Sequence, residues 1–258
     1  MLSFQHPRAL RALGRPLACY TRTIHASSRA CSQDPPSLVV HGVTYATDDY
    51  TNIPSSIMSR VFPSPQLPYR EHHPLKILRE EIERVFGQKY SAIRAPSPVV
   101  TTKLNFDDLG FPANHPGRKP SDTYYVNRAT CLRTHTSAHE VSTFRHGYKR
   151  WLLTADVFRR DEIDSSHYPV FHQMEGASVW GLDEFGSNGI VERECAAMEE
   201  KLRASGMEIH DDVNIAEADG WQDTHLRKHP EAANLALRHL KASLNTLVFA
   251  LFKKRWAE

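Results

Sequence analysis

The chain of 258 residues contains no run of 18 apolar residues, so no membrane-spanning helix can be drawn from it and no membrane partner is expected. Cysteine is scarce. Cys19, Cys31, Cys131 and Cys195 show no C-x-x-C spacing, which argues against a zinc ribbon or a disulfide framework and favours reduced thiols. There is no internal repeat, no H-E-x-x-H run and no G-x-G-x-x-R run. Residues 1–33 contain no Asp or Glu at all.

That last absence divides the chain. Residues 1–33 carry Arg8, Arg11, Arg15, Arg22 and Arg29 among many Ser, Thr, Ala and Leu. Taking these five positive charges from the net +2 leaves −3 on residues 34–258. A basic, acid-free, Ser-rich beginning reads as a mitochondrial transit peptide over 1–33, against the plainer reading of a basic tail. The body, 34–258, then has no strong positive field. Contact with nucleic acid would need a local patch or residues outside this sequence. Hydrophobic content of 40% makes the body globular, with a sizeable core.

Periodicity outlines the elements. Leu38 to Tyr45 reads as a short strand, and Ile53 to Arg70, with four prolines, as an irregular arm. Pro74 opens a helix with an apolar stripe from Leu75 to Phe86, stopped by Gly87. Val99 to Thr102 and Tyr124 to Val126 read as strands around a long loop, Asn105 to Asp122. Thr136 and Ser137 are placed to cap a helix. Glu140 stands three residues after Ser137 at capping-box spacing, and His135 and His139 would share a helical face. Trp151 to Phe158 reads as a buried strand, and Ile190 to Arg203 as a helix ended by Gly206. His210 to His225 is acidic and polar, like a surface insertion, and Pro230 to Lys254 reads as a long helix.

The densest chemistry lies in Phe158 to Gly176, FRRDEIDSSHYPVFHQMEG. Val157-Phe158 and Val170-Phe171 are β-formers around the turn chemistry of Asp164-Ser165-Ser166, so two antiparallel strands are expected. Such a hairpin can hold Arg159 and Gln173 to Glu175 on one face. The arginine offers a planar fork to phosphate or carboxylate, and Glu175 can receive an ammonium.

This stretch resembles motif 2 of the class II aminoacyl-tRNA synthetases, with its F-R-x-[DE] pattern. The run R-R-D-x-I-D-x-x-H-Y-P-x-F-H-Q is similar to the phenylalanine-specific mitochondrial branch of that family. Two upstream runs agree, Ser97 to Asn127 and Leu132 to Glu140, LRTHTSAHE, and His72 to Leu75 matches the start of motif 1. The resemblance implies an α+β fold, an antiparallel sheet flanked by helices and incomplete at the C-terminal side. Over 34–258 it implies a partial catalytic domain. Motif 3 and the anticodon-binding domain are absent from these residues, and the phenyl-ring pocket cannot be assigned.

By the resemblance, Arg159 is the catalytic residue, bridging the ATP α-phosphate and the amino-acid carboxylate. His135, Ser137, Ala138, His139 and Glu140 form one substrate-binding run. Ser166, His167 and Tyr168 form a second, and Gln173, Met174 and Glu175 a third. The implied substrates are phenylalanine, ATP and phenylalanine tRNA, with Mg2+ held by ligands outside these residues. The implied enzyme is a monomer of the mitochondrial matrix. A second reading is a catalytically inactive relative that binds tRNA or substrate. A third, a metallohydrolase built on His135, His139 and Glu140, is disfavoured by the order of those residues.

Overall fold

The computed structural model describes residues 36–61, 66–95, 97–160, 164–186, 189–209 and 228–252. The basic leader 1–33, the insertion read at His210 to His225 and the terminal KKRWAE lie outside the described residues.

The first strand expected from sequence is instead a hairpin. β1 (Ser37–Val40) and β2 (Val43–Ala46) pair antiparallel around His41 and Gly42, both at positive φ. Two-residue hairpin turns need that conformation, and Gly42 adopts it freely. His41 is fixed there by a 2.9 Å contact from Nε2 to the Val61 carbonyl. The Pro-rich arm is more ordered than its composition suggests, since it contains α1 (Ser55–Val61). Ile57 and Val61 of α1 join Val40, Tyr124, Leu132 and Phe158 in one buried cluster.

α2 (Pro74–Phe86) begins and ends as its sequence predicts. The His73 side chain accepts from the Leu75 N–H, Pro74 fixes the first turn, and Gly87 ends the helix at φ 65°. Its apolar stripe is only partly covered, and Ile77 and Leu78 are exposed.

β3 (Ser91–Arg94) has no counterpart in the sequence reading. It pairs in parallel with β7, so the main sheet is mixed rather than wholly antiparallel. A four-residue strand with a distant parallel partner leaves no local hairpin signal. β4 (Val99–Thr101) runs into a short helix, α3 (Thr102–Asn105), which takes the last residue of the expected strand and ends where the expected loop begins. β5 (Tyr125–Asn127) and β6 (Thr130–Leu132) complete a three-stranded antiparallel sheet in the order β4-β6-β5. The turn between them is set by Asn127, whose Oδ1 accepts from Ala129 N and Thr130 Oγ1.

A 3-10 turn (Thr136–His139) and α4 (Glu140–Arg145) lead to the central pair, β7 (Arg150–Phe158) and β8 (Val170–Ser178). These nine-residue strands pair antiparallel from Arg150↔Ser178 to Phe158↔Val170. From Trp151 to Phe158 every residue of β7 is buried, covered on both faces. This is why its sequence is largely apolar on both faces, with Thr154 and Asp156 as the exceptions, rather than a polar–apolar alternation. α5 (Ile190–Ala204) and α6 (Pro230–Phe252) pack against each other. Sheet order β3-β7-β8 leaves one edge of β8 without a strand partner among the described residues.

Gly176 lies opposite Leu152, where a Cβ would stand 2.7 Å from Leu152 Cδ2 and 3.2 Å from the Trp151 carbonyl. Leu152 is itself buried. Gly176→Ala is expected to lower stability by about 1–3 kcal/mol, the cost of overpacking. Urea denaturation checks it, and an unchanged midpoint would remove the steric argument.

Candidate active site

Residues 134–137 lie across one face of β8, held by three side chains. The Arg159 Nε donates to the Thr134 carbonyl at 3.1 Å. The Thr136 N–H donates to Gln173 Oε1 at 3.3 Å, and the Ser137 hydroxyl donates to Glu175 Oε2 at 2.8 Å. Alternation along β8 puts Phe171, Gln173 and Glu175 on that same face. The Arg159 guanidinium lies 5.0 Å over the Phe171 ring. A single surface therefore carries a guanidinium at one end and a carboxylate at the other.

The expected capping box does not form. His135 occupies the cap position with no side-chain hydrogen bond, and Ser137 spends its proton on Glu175 instead. Ser137 lies inside the 3-10 turn rather than at its entrance, which frees its hydroxyl for the strand.

Beneath the turn is Arg133, fully buried. Its Nε donates to the Asp156 carbonyl at 2.6 Å, and its Nη1 donates to the carbonyls of Ala95 and Ser97. Nη1 also lies 3.0 Å from His139 Nε2. Guanidinium nitrogens only donate, so that ring nitrogen must accept and His139 must be neutral. Burial, with Arg133 next, pushes the His139 pKa down to about 4. His135 is lowered too, first by burial and further by Arg159, with the main-chain carbonyl of Asn105 opposing. Its ring stacks on Phe111 at 5.7 Å.

The carboxylates shift the other way. Burial raises Glu175, with Glu140 adding repulsion while the Ser137 and Thr136 hydroxyls pull partly back. Glu175 Oε1 is buried with no hydrogen-bond partner. Burial raises Glu140 as well. Among the described residues the Arg159 terminal nitrogens make no hydrogen bond, so its outer edge is open to an anion.

Not every residue named from sequence joins this face. Ala138 is buried in the core with Val100, Phe106, Tyr125 and Cys131. Met174 alternates to the opposite face of β8, with His172, whose Nδ1 is 2.7 Å from Asp156 Oδ1. Ser166 and His167 are exposed and held by Asp164 in a local turn, their N–H groups each 2.7 Å from its Oδ1. Tyr168 is exposed under Arg60, whose guanidinium is 5.0 Å from its ring. The structure also adds residues that the sequence reading passed over: Arg133, Phe111, Thr136 and Phe171. An arginine inside the apolar run Cys131-Leu132-Arg133 was the available signal for the first.

No group of three or more His, Cys, Asp or Glu side chains among the described residues is placed to hold a metal ion. The Nε2 of His139 is already committed to Arg133, so the metallohydrolase geometry is not assembled.

A family model described as "tRNA synthetases class II core domain (F)" matches residues 60–188. The chain belongs to the class II tRNA synthetases. Within that family it is 38% identical to the mitochondrial phenylalanine–tRNA ligase of Saccharomyces cerevisiae, over 85% of this chain and 50% of the relative. Against the mitochondrial phenylalanine–tRNA ligase of Mus musculus it is 34% identical, over 99% of this chain and 57% of the relative. Against the chloroplastic/mitochondrial enzyme of Arabidopsis thaliana it is 44% identical, over 63% and 38%. The chain thus spans about half the length of the relatives it matches. The class II match covers α2, both motif-like runs and the β7–β8 pair, the elements that build this face.

The raised Glu175 pKa has a consequence for stability. A carboxyl whose folded pKa lies above its unfolded value favours folding while protonated, and that contribution is lost as pH rises through the folded pKa. Glu175→Gln is therefore expected to stabilise the chain at neutral pH and to lose that advantage on acidification toward the ordinary glutamate range. Thermal melts of both proteins across that range test it. A pH-independent difference would show that Glu175 is not the responsible group.

Proposed function

We propose that this chain carries the amino-acid-activating face of a phenylalanine–tRNA ligase of mitochondrial translation. The observation that carries the reading is the open guanidinium of Arg159 on the same face as Gln173 and the desolvated Glu175. The relatives' names, all phenylalanine–tRNA ligases, supply the amino acid and the compartment.

Activation joins two anions. An oxygen of the phenylalanine carboxylate attacks the α-phosphorus of ATP, and the bond to pyrophosphate breaks. Arg159 offsets the negative charge that builds at the α-phosphoryl oxygens and the incoming carboxylate. Its Nε is tethered to the Thr134 carbonyl, which leaves the two terminal nitrogens as the working fork. Glu175 takes the ammonium, whose arrival compensates a carboxylate that burial otherwise disfavours. Ser137 holds Glu175 in place, and Gln173 presents its amide beside it. Neutral His135 and His139 add no cation to compete for that carboxylate. The phenylalanyl group then passes to the 2′-hydroxyl of the tRNA's terminal adenosine. The exposed Ser166-His167-Tyr168 loop is assigned to nucleotide contact. Mg2+, which the family implies beside ATP, would be held by ligands outside the described residues. Residues 1–33 act as the import leader to the matrix, and the enzyme works as a single chain.

A second reading gives the same face to binding alone: the chain would hold phenylalanine or tRNA without activating the amino acid. Phenylalanine-dependent exchange between pyrophosphate and ATP separates the two. The ligase reading expects exchange, reduced about 100-fold or more by Arg159→Ala, the usual effect of losing a charge-stabilising donor. Exchange that survives Arg159→Ala unchanged removes Arg159 from catalysis. Binding of phenylalanine or tRNA with no exchange supports the second reading.

A further inference from the structure

Several cations of this body are answered by acids, and several others are not. Lys76, Arg79, Arg84, Lys103, Arg118 and Arg128 each pair with an Asp or Glu. The connection from α4 to β7 departs from that pattern. Residues 144–149 are all exposed, and they include Arg145, His146 and Lys149. Among the described residues neither Arg145 nor Lys149 has an acidic partner. Glu194 reaches the neighbouring Arg150 but is shared with Lys89 and His239. Gly147 at φ 85° makes the tight turn, and Tyr148 projects from it, 42% exposed.

Beside the turn, between β3, β4 and α4, opens a cavity of about 500 Å3. Ile93, Val99 and Leu153 line it with apolar surface, and Arg94, His146 and Tyr148 contribute at its edge. Arg94 is exposed, stacked 4.5 Å over Tyr69, and has no ion pair among the described residues. The arrangement combines three unanswered cations, one exposed ring and an apolar recess. A single-stranded polyanion with flat bases has the matching chemistry: phosphates for the cations, and a base to stack on the ring or enter the recess. On a body of net charge −3, attraction for a polyanion must come from local patches such as this one.

We propose that the α4–β7 turn, with Arg94 across the cavity, is an RNA-binding surface. It holds backbone phosphates at Arg94, Arg145 and Lys149 and an unpaired base at Tyr148. Naming tRNA as the occupant rests on the ligase reading. The patch is separate from the activating face. Lys149 precedes β7 and Arg159 follows it, about 30 Å apart along a nine-residue strand. The surface would grip the RNA away from its reacting end.

The test measures binding of the 258-residue chain to a phenylalanine tRNA transcript by fluorescence anisotropy, over a series of salt concentrations. Arg145→Glu with Lys149→Glu is expected to weaken binding tenfold or more and to flatten the salt dependence by about 1.5 in log–log slope, for two lost phosphate contacts. Tyr148→Ala is expected to weaken binding about tenfold with the slope unchanged, the mark of lost stacking. A control pair on α5, Lys201→Glu with Arg203→Glu, should stay within twofold. Arg145→Gln with Lys149→Gln, checked by circular dichroism, guards against misfolding and should show the same trend. Binding unaffected by the patch variants, equal loss in the control, or no binding by the unaltered chain would each overturn the proposal. Pyrophosphate exchange on the same preparations keeps the two readings apart. Patch-dependent binding without exchange retains the surface and sinks the ligase assignment. Exchange with patch-independent tRNA binding does the reverse.

Discussion

The guanidinium of Arg133 is fully out of water, and its hydrogen bonds tie together three separate parts of the chain. Nε reaches β7 through the Asp156 carbonyl. Nη1 reaches the Ala95 and Ser97 carbonyls after β3, and His139 in the 3-10 turn. Its main chain is also engaged, donating to Pro98 and accepting from Phe158. A charge in this setting is costly, its Nη2 is buried with no hydrogen-bond partner, and burial has lowered its pKa to about 10. That cost specifies one arrangement. In the arrangement that brings His139 to Arg133, the same segment lays Thr134 and Ser137 against Arg159 and Glu175. Removing one partner of such a buried charge typically costs about 3–5 kcal/mol. The geometry of the candidate site is therefore inherited from a residue that need not touch any substrate.

Around that anchor the ionisable groups are held away from their ordinary states in a consistent pattern. Both histidines of the run are pushed toward neutrality, and both nearby glutamates toward higher pKa. Desolvation is the first cause in all four, so the face is one dry surface rather than four independent sites. A surface in this condition is less stable empty than it could be. In the proposed activation, such a surface would gain from a ligand that brings its own ammonium to Glu175 and its own anion to Arg159. An amino acid lying beside a phosphate has that pattern of charge.

Much of this was legible in sequence, and the boundary between what was legible and what was not has physical causes. The β7–β8 pair was readable because its signals are local: β-formers flanking Asp164-Ser165-Ser166, and a largely apolar run before them. α2 was readable because Pro74 and Gly87 mark its ends. β3 was not, because a parallel partner sixty residues away leaves no trace beside it. The sharing of one face by Arg159, Gln173 and Glu175 followed from strand alternation. The same alternation, applied one residue on, removes Met174. The cap reading of Ser137 could not be separated from its binding reading, because capping-box spacing is the same whether the hydroxyl meets its own helix or a strand 38 residues later. Ala138 sits within a run of binding residues yet serves the core, since a 3-10 turn sends neighbours in different directions. Motif matching assigns roles to runs, whereas geometry assigns them to atoms.

α6 shows the limit of hydrophobic periodicity from the other side. The helix is apolar around much of its circumference, and the residues turned most fully inward include His239 and Ser243, not its leucines. Leu240, Leu244, Val248 and Phe252 form an outward line at four-residue spacing. The inward choice follows partner availability. His239 meets Glu194, which also binds Arg150 and Lys89, and its ring packs 4.8 Å from Trp180, itself beneath Arg150. Ser243 finds the Met198 sulfur. Two cations and a histidine converge on Glu194 and hold its pKa down at about 2, despite desolvation acting the other way. An apolar side chain gains roughly the same from any dry neighbour, so many rotations of a leucine-rich helix are nearly equivalent. A buried histidine facing a carboxylate is satisfied in far fewer. The polar contacts fix the rotation of α6, although the apolar ones supply most of its burial.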